Sequence, residues 1–592
     1  MLGVDTGGTF TDAVAADGTI AKVPSTPHDP AAAVAEAVAQ LGGASTGLAH
    51  GTTVATNALL ERRGARVALV TNRGLTDVIE IGRQDRPSLY DVFVDRPAPL
   101  VERADRIGIA GRLAADGTEL EPLCLDGLLP LPDGIEAVAV CLLHSDLAPS
   151  HERAVADALV AAGVDVSCSI DVSPEFREYE RTLTTVVNAY LRPSCRPYLT
   201  QLVRITPTVT VMTSAGGLVP VDVAAALPAA LLLSGPAGGV RAAAAVAVAN
   251  GYPDAITFDM GGTSSDVCLV QDGAPALATG RTVGGFPLRL PALDVHTIGA
   301  GGGSIARIDA GGALTVGPRS AGAVPGPACY GRGGVEPTVT DADLVLGRIP
   351  VDHALPGLST LNVAAAQAAL SRAGVTADGV VTVVDAAMEQ ALRAVSVARG
   401  VDPRSLALVA FGGAGPLHAC ALAESLDMAC VIVPARAGVL SAVGMLSAPA
   451  QRELVRSWPT PGSLDGLDIA RASLAAEVVA LVGAGAVSTT AVDVRYYGQS
   501  HELTVASIDD FHVEHRRRNG YALEDAPVEV IALRAVASIA SAVSIDDLPG
   551  VTRASAAGPA VIAEPDCTIW VPEGWIATPG SAGALVLMRS SP

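Results

Sequence analysis

One pattern occurs twice in this chain, and it narrows the possible folds more than any other feature. Gly3-Val4-Asp5-Thr6-Gly7-Gly8-Thr9-Phe10-Thr11-Asp12 and Phe258-Asp259-Met260-Gly261-Gly262-Thr263-Ser264-Ser265-Asp266 both read Asp-x-Gly-Gly-Thr-x-x-Asp. Each copy follows an apolar run, and each sets its second Asp seven residues after its first. A strand that ends this way turns tightly into the next strand. Glycines lack Cβ and let backbone N–H groups approach an anion, and the threonine hydroxyls add donors. The first Asp of each copy suits Mg²⁺, which takes a few carboxylates together with substrate phosphate. A single copy reads equally well as a Gly-Gly hairpin turn. Two copies read as two similar half-domains facing one nucleotide.

The bulk properties exclude several classes. A chain of 592 residues holds several domains or one large two-lobed body with additions. Its net charge is −22 and its longest basic run is Arg516-Arg517-Arg518, which argues against nucleic acid or an anionic membrane as partner. The only lysine is Lys22. No Gly-Lys-Ser/Thr exists, so there is no P-loop, and Schiff-base or buried-lysine catalysis is not expected. The nine cysteines are scattered without a Cys-x-x-Cys and read as reduced residues of a cytoplasmic protein. No signal peptide is evident, and the apolar stretches are too short to span a bilayer.

In chain order, Leu2–Asp5, Phe10–Ala16 and Ile20–Val23 read as strands, and Ala31–Leu41 as a helix behind Asp29 and Pro30. His50 to Glu61, with Thr52, Thr53 and Asn57, reads as a loop entering a helix, a favourable place for an anion. Strands at 135–143 and 164–166 flank a helix at 150–162, which argues for a parallel sheet. A longer helix is expected from Glu175 to Leu191, stopped by Pro193. Two glycine-rich loops, 294–304 with His296 and 317–334, read as ordered site loops. Leu406–Phe411 running into Gly412-Gly413-Ala414 offers a flat surface for a nucleoside. After residue 450 the pattern turns to strands. Gly43 to Gly47 matches Gly-x-Ser-x-Gly but lies in a polar turn, so it is set aside as a nucleophile elbow.

The two Asp loops with Phe411 to Gly415 resemble the phosphate and adenosine elements of the actin/Hsp70/sugar-kinase ATPase superfamily. More narrowly, Gly3–Asp12, His50–Glu61, Val70–Asp77, Phe258–Asp266, Asp294–Ala306, Gly317–Gly331, Phe411–His418 and Tyr497–Leu503 resemble the hydantoinase A/5-oxoprolinase family. The resemblance implies an α/β, two-lobed actin-like (ribonuclease H-like) ATPase core with a mostly β C-terminal domain. The implied units are a first lobe at 1–205, a second at 206–450 and the C-terminal domain at 451–592. It implies ATP with Mg²⁺ (or Mn²⁺), and ATP-dependent opening of a cyclic amide or, in carboxylase branches, attack on a ketone. A B-type partner subunit in a hetero-oligomer is also implied.

For the residues, the resemblance implies Asp5, Asp12, Asp259 and Asp266 as the catalytic carboxylates, with Asp5 and Asp259 serving the metal. Thr6, Gly7, Gly8, Thr9, Gly261, Gly262, Thr263 and Ser264 would cradle phosphates, and Gly412, Gly413 and Ala414 would meet the nucleoside. His50, Thr52, Thr53, Asn57, Arg83 and His296 are the expected substrate-side residues. A non-enzymatic actin-like or chaperone-like protein and a sugar kinase are the alternatives. The ordered glycine loops and the lack of a sugar-binding segment weigh against them.

Overall fold

A computed structural model of the chain describes residues 1–26, 28–43, 47–352 and 360–590. The centre of the Gly43 to Gly47 match, at 44–46, lies outside the described residues. Short apolar alternations at the start form an antiparallel meander of β1 (Leu2–Thr6), β2 (Phe10–Ala15) and β3 (Ile20–Pro24). β4 (Leu48–Thr52) lies parallel to β1 and passes directly into α1 (Val54–Leu60). Residues 67–168 then carry a separate five-stranded sheet.

Helix α2 (Glu178–Leu202) overruns its expected stop, continuing through Pro193 and Pro197. An interior proline costs about 3 kcal/mol. The face beyond it buries Cys195, Tyr198, Leu199 and Leu202 in the first-lobe core, and that burial offsets the cost. β5 (Val209–Met212) and β6 (Leu218–Pro220) follow, and then α3 (Gly235–Ala249).

The second lobe repeats the plan of the first. β7 (Ala255–Met260) and β8 (Ser265–Gln271) form a hairpin, with β9 (His296–Ile298) on the outer edge of β8. Helices α4 (Val339–Val345) and α5 (Ala377–Val395) pack on it. β10 (Ala407–Phe411) runs parallel to β7, followed by α6 (Gly415–Ser425), β11 (Cys430–Val433) and α7 (Leu440–Ser447).

The strands after residue 450 do not stand apart from the lobes' sheets. β12 (Ala450–Ser457), β13 (Val487–Tyr496), β14 (Leu503–Val505) and β15 (Val528–Ile539) extend the first-lobe sheet, in the order β14-β13-β15-β12-β6-β5-β4-β1-β2-β3. β16 (Trp575–Pro579) and β17 (Leu585–Arg589) extend the second, in the order β8-β7-β10-β11-β17-β16. Helices at Leu467–Val482 and Phe511–Asn519 accompany them. Among the described residues no helix is long and apolar enough to cross a membrane, and no disulfide forms.

The lobes meet through two small-residue helices. α7 packs on β1 and β2, α3 packs on β7 and β10, and α3 and α7 cross each other. The crossing is tight enough that a Cβ on Gly444 would stand 1.9 Å from the Gly238 carbonyl oxygen. A Cβ on Gly3 would stand 2.1 Å from the Ala442 carbonyl. A side chain at Gly444 must therefore push the lobes apart. Gly444→Val is expected to destabilise the chain by about 3 kcal/mol or more, at the upper end of overpacking costs. Its denaturant midpoint, compared with that of the parent chain, measures this.

Candidate functional site

Both copies of the repeated pattern fold into the same hairpin. Asp5 stands opposite Asp12 across β1 and β2, and Asp259 stands opposite Asp266 across β7 and β8. The same bond closes each turn: Gly7 N–H to the Phe10 carbonyl at 3.0 Å, and Gly261 N–H to the Ser264 carbonyl at 3.1 Å. A parallel strand flanks each hairpin. Gly51 of β4 lies opposite Asp5, and Phe411 of β10 lies opposite Asp259, with Gly412 next. Both glycines are required by space. A Cβ on Gly51 would stand 2.7 Å from Asp5 Oδ1, and one on Gly412 would stand 2.3 Å from Asp259 Oδ1. Gly8, Gly262 and Gly413 open onto free space, with nothing within 4 Å of an added Cβ.

The carboxylates show that the two loops face one another. Partial burial pushes Asp259 up to about 8, and the charges of Asp266, Asp5 and Asp12 add to the shift. Burial, then Asp12, pushes Asp5 up to about 7. Burial pushes Asp266 up to about 6, against the hydroxyl of Thr297. Asp12 is also raised by burial, and the ammonium of Lys22, 2.8 Å from its carboxylate, opposes the rise. The charges of Asp5 and Asp12 reach Asp259, which places the two Asp pairs near one another.

Asp5 Oδ1 has no hydrogen-bond partner among the described residues. An uncompensated carboxylate oxygen beside other carboxylates fits a hard divalent ion, and Asp5 could hold one. Helix N-termini add positive potential to the cleft. The first residue of α3, Gly235, faces Asp5 and Thr53, with its Cβ position 3.8 Å and 3.9 Å from them. The first residue of α6, Gly415, lies against Met260.

The glycine-rich loops serve the second phosphate loop from below. Gly302 N–H donates to the Gly261 carbonyl at 3.0 Å and Gly303 N–H to the Gly262 carbonyl at 2.6 Å. The Gly302 carbonyl in turn accepts the Thr340 hydroxyl at 2.8 Å. A Cβ on Gly301 would stand 2.8 Å from Gly261 O and Thr263 N, so this support tolerates no side chain. Ser265 Oγ donates to the Ala300 carbonyl at 2.7 Å. The nucleoside-side loop is fixed by Ala414 N–H to the Met260 carbonyl at 3.0 Å and Gly412 N–H to the Ala437 carbonyl at 2.9 Å. Thr9 holds the first loop to the end of β3 through Ser25 N–H, 3.0 Å from its carbonyl, and Thr6 is buried at the end of β1.

The expected substrate-side residues separate into groups. Thr53 Oγ1 donates to the Thr6 carbonyl at 3.3 Å and Asn57 Nδ2 to Thr53 Oγ1 at 3.4 Å, which ties α1 to the first loop. Thr52 is buried, and its hydroxyl accepts Val54 N–H at 3.2 Å. His50 is fully buried with Nε2 2.5 Å from the Tyr198 hydroxyl, and burial pushes its imidazole down to about 4. It is therefore neutral at physiological pH. Arg83 is paired with Glu180 at 2.6 Å on the outer surface of α2. His296 is exposed on β9, opposite Val267 and one residue before the Thr297 that bonds Asp266.

Three features escaped the sequence reading. Lys22 reaches Asp12 because β3 sets it directly opposite Asp12 in register. Gly235 belongs to Ser234-Gly235-Pro236, whose glycine-before-helix pattern is a readable signal. His418 lies one turn into α6, fully buried, with Nδ1 2.7 Å from Asp385 of α5 and Nε2 3.3 Å from Asp343 of α4. Its partners are distant in sequence, and no local pattern announces them.

Two Asp-x-Gly-Gly-Thr-x-x-Asp hairpins, one in each half of a two-lobed α/β body, define the actin-like ATPase fold. The chain belongs to the hydantoinase/oxoprolinase family: the family model matches residues 181–453, and that of its N-terminal region matches residues 1–163. The chain is 35% identical to the caprolactamase subunit alpha of Pseudomonas jessenii, with 90% of this chain and 86% of the relative covered. It is 34% identical to the acetophenone carboxylase gamma subunit of Aromatoleum aromaticum, over 75% of this chain and 67% of the relative. The crystal structure of the ATP-dependent caprolactamase from Pseudomonas jessenii superposes with a TM-score of 0.86 at 32% identity, covering 100% of both chains.

The His418 cluster sets a pH dependence. Burial alone would lower this imidazole, but the charges of Asp343 and Asp385 outweigh it and raise the group from 6.5 to about 10. Below pH 6.5 the folded and unfolded states both carry the proton, and the ion-pair contribution is complete. Between pH 6.5 and about 10 only the folded state retains it, so stability falls as pH rises through that window. His418→Gln is expected to flatten this slope. It should also cost about 3–5 kcal/mol, as one partner of a buried ion pair is lost. Urea titrations of both proteins across that pH range measure the two effects.

Proposed function

We propose that the chain is the ATP-binding A-type subunit of an amide-opening enzyme, acting on a hydantoin, 5-oxoproline or another lactam with a B-type partner chain. The observation that carries the reading is the repetition of one Asp-x-Gly-Gly-Thr-x-x-Asp hairpin in both lobes, with the carboxylates of the first near enough to act on Asp259 of the second. Kinship with the caprolactamase subunit alpha supports the lactam class.

An amide carbonyl is a poor electrophile. Transfer of the terminal phosphoryl group of ATP to its oxygen forms an imidate phosphate and releases ADP. Water then adds at that carbon, the ring C–N bond breaks as nitrogen takes a proton, and a second water releases phosphate from the acyl phosphate. Phosphoryl transfer is catalysed mainly by positioning and charge neutralisation. In this reading Gly7, Gly8, Thr9, Gly261, Gly262 and Thr263 present donors to the phosphates. Asp12 orients the first loop, Asp266 orients the second or moves a proton, and Gly412 to Ala414 border the nucleoside. Asp5 and Asp259 would hold a divalent ion, which would supply charge neutralisation.

Kinship with the acetophenone carboxylase gamma subunit favours a ketone carboxylase as the second reading. Bicarbonate separates the two: a lactam-opening enzyme turns over ATP without it, and a carboxylase requires it. ATP turnover by the chain with its partner is expected to rise with one member of a panel of hydantoins, 5-oxoproline, larger lactams and ketones. No stimulation by any of them contradicts the reading. Asp259→Asn is expected to lower that turnover by about 10²-fold or more, the scale of losing one element of transition-state charge stabilisation, while the far-UV dichroism stays unchanged.

A further inference from the structure

We propose that Lys22 is a positioning residue of the nucleotide site, one that locks the first phosphate loop to the nucleoside-side loop; this rests on the ATP-site reading above. Lys22 is the single lysine of the chain, among 39 basic Lys and Arg residues. It occupies the middle of β3, opposite Asp12 in register. Its ammonium lies 2.8 Å from Asp12 Oδ1 and 2.9 Å from Oδ2, and stands 5.1 Å from the centre of the Phe10 ring. A third donor direction reaches the Gly438 carbonyl at 3.4 Å. The ammonium is thus held on one side by the loop hairpin and on the other by a turn more than 400 positions away in the chain.

That turn, Ala437–Val439, is the junction of the site. It links β11 of the second sheet to α7, which packs on β1 of the first. The Ala437 carbonyl accepts Gly412 N–H at 2.9 Å, so the turn also fixes the nucleoside-side loop. Gly438 N–H donates to Asp566 Oδ2 at 2.7 Å, and a Cβ on Gly438 would stand 1.8 Å from the Asp566 carbonyl. The turn is therefore immobilised by the C-terminal segment and cannot follow the hairpin. Lys22 joins the two loops in one chain of contacts: Asp12 of the first loop, then Lys22, then Gly438, then Ala437 and Gly412.

An ammonium is a compact charge with three donors on a flexible stem, and here all three directions have a use. Opposing charge acts at Asp12 directly and on Asp5 and Asp259 through space. Losing it leaves the Asp12 carboxylate without its partner and uncouples the loop that meets the phosphates from the loop that meets the nucleoside. Binding of the nucleotide at either loop survives that loss. Alignment of the two loops for transfer does not.

The test compares Lys22→Met, Lys22→Arg, Asp12→Asn and the double variant Lys22→Met/Asp12→Asn in the full chain with its partner. Lys22→Met is expected to lower kcat by about 30-fold or more with KM for ATP changed less than about threefold, the signature of an interaction that matters in the transition state. Lys22→Arg should recover part of the loss. Because Lys22 acts through Asp12, the double variant should be no slower than the worse single variant, as coupled neighbours behave. Hydrogen exchange of the nucleotide-free chain should rise at residues 436–440 and 20–24 together in Lys22→Met.

Unchanged kcat with unchanged exchange overturns the proposal, as does a uniform loss of folding in both Lys22 variants. If the parent chain binds no ATP, the ATP-site reading itself fails. The exchange measurement then decides the Lys22 bridge alone.

Discussion

Four carboxylates crowd one cleft with a single ammonium among them, and the rest of the structure is arranged around that imbalance. Asp5, Asp12, Asp259 and Asp266 each hold a proton more readily than an ordinary carboxylate, because burial penalises their charge, and repulsion from neighbouring carboxylates adds to this at Asp5 and Asp259. Such a cluster is costly unless a ligand repays it. A divalent ion with a bound polyphosphate would do so under the proposed function, since the ion would answer the carboxylates and the glycine loops and helix N-termini would answer the phosphate. Strain of this kind is characteristic of a binding site and not of a stabilising core.

The duplicated hairpin explains how the imbalance is held in place. Each Asp pair is locked in register by a two-strand ladder, and each ladder is buttressed by a parallel strand with a glycine, Gly51 or Gly412, beside the leading Asp. Those glycines leave room for a carboxylate where any side chain would collide with it. The two halves are then brought face to face by α3 and α7, whose crossing at Gly238 and Gly444 allows backbone to touch backbone. A close helix crossing of small residues transmits displacement with little slack, so the gap between the phosphate loops is set by the packing of these two helices.

Local chemistry was readable from the residues, and long-range chemistry was not. The repeated pattern disclosed both hairpins because turn, glycine and acidic residues sit within ten positions of one another. The two-lobed α/β class followed from the repeat and from alternating strands and helices. The overrun of α2 through Pro193 and Pro197 was hidden because the burial that sustains it comes from residues remote in the chain. The strands after residue 450 were recognisable as strands, but their membership in the two main sheets depends on partners hundreds of positions earlier. His418 with Asp343 and Asp385, and Lys22 with Gly438, are joined only by the fold. Fully buried His50 shows the converse: a polar cluster beside the site had a legible location, while the neutral state of the imidazole follows only from its surroundings.

Hydrogen exchange of the full chain with and without Mg²⁺-ATP tests the central claim most directly. One cleft made from both hairpins predicts that segments 5–12, 259–266 and 411–416 gain protection together, with a common dependence on nucleotide concentration. Protection confined to one hairpin, or two separate concentration dependences, would contradict it.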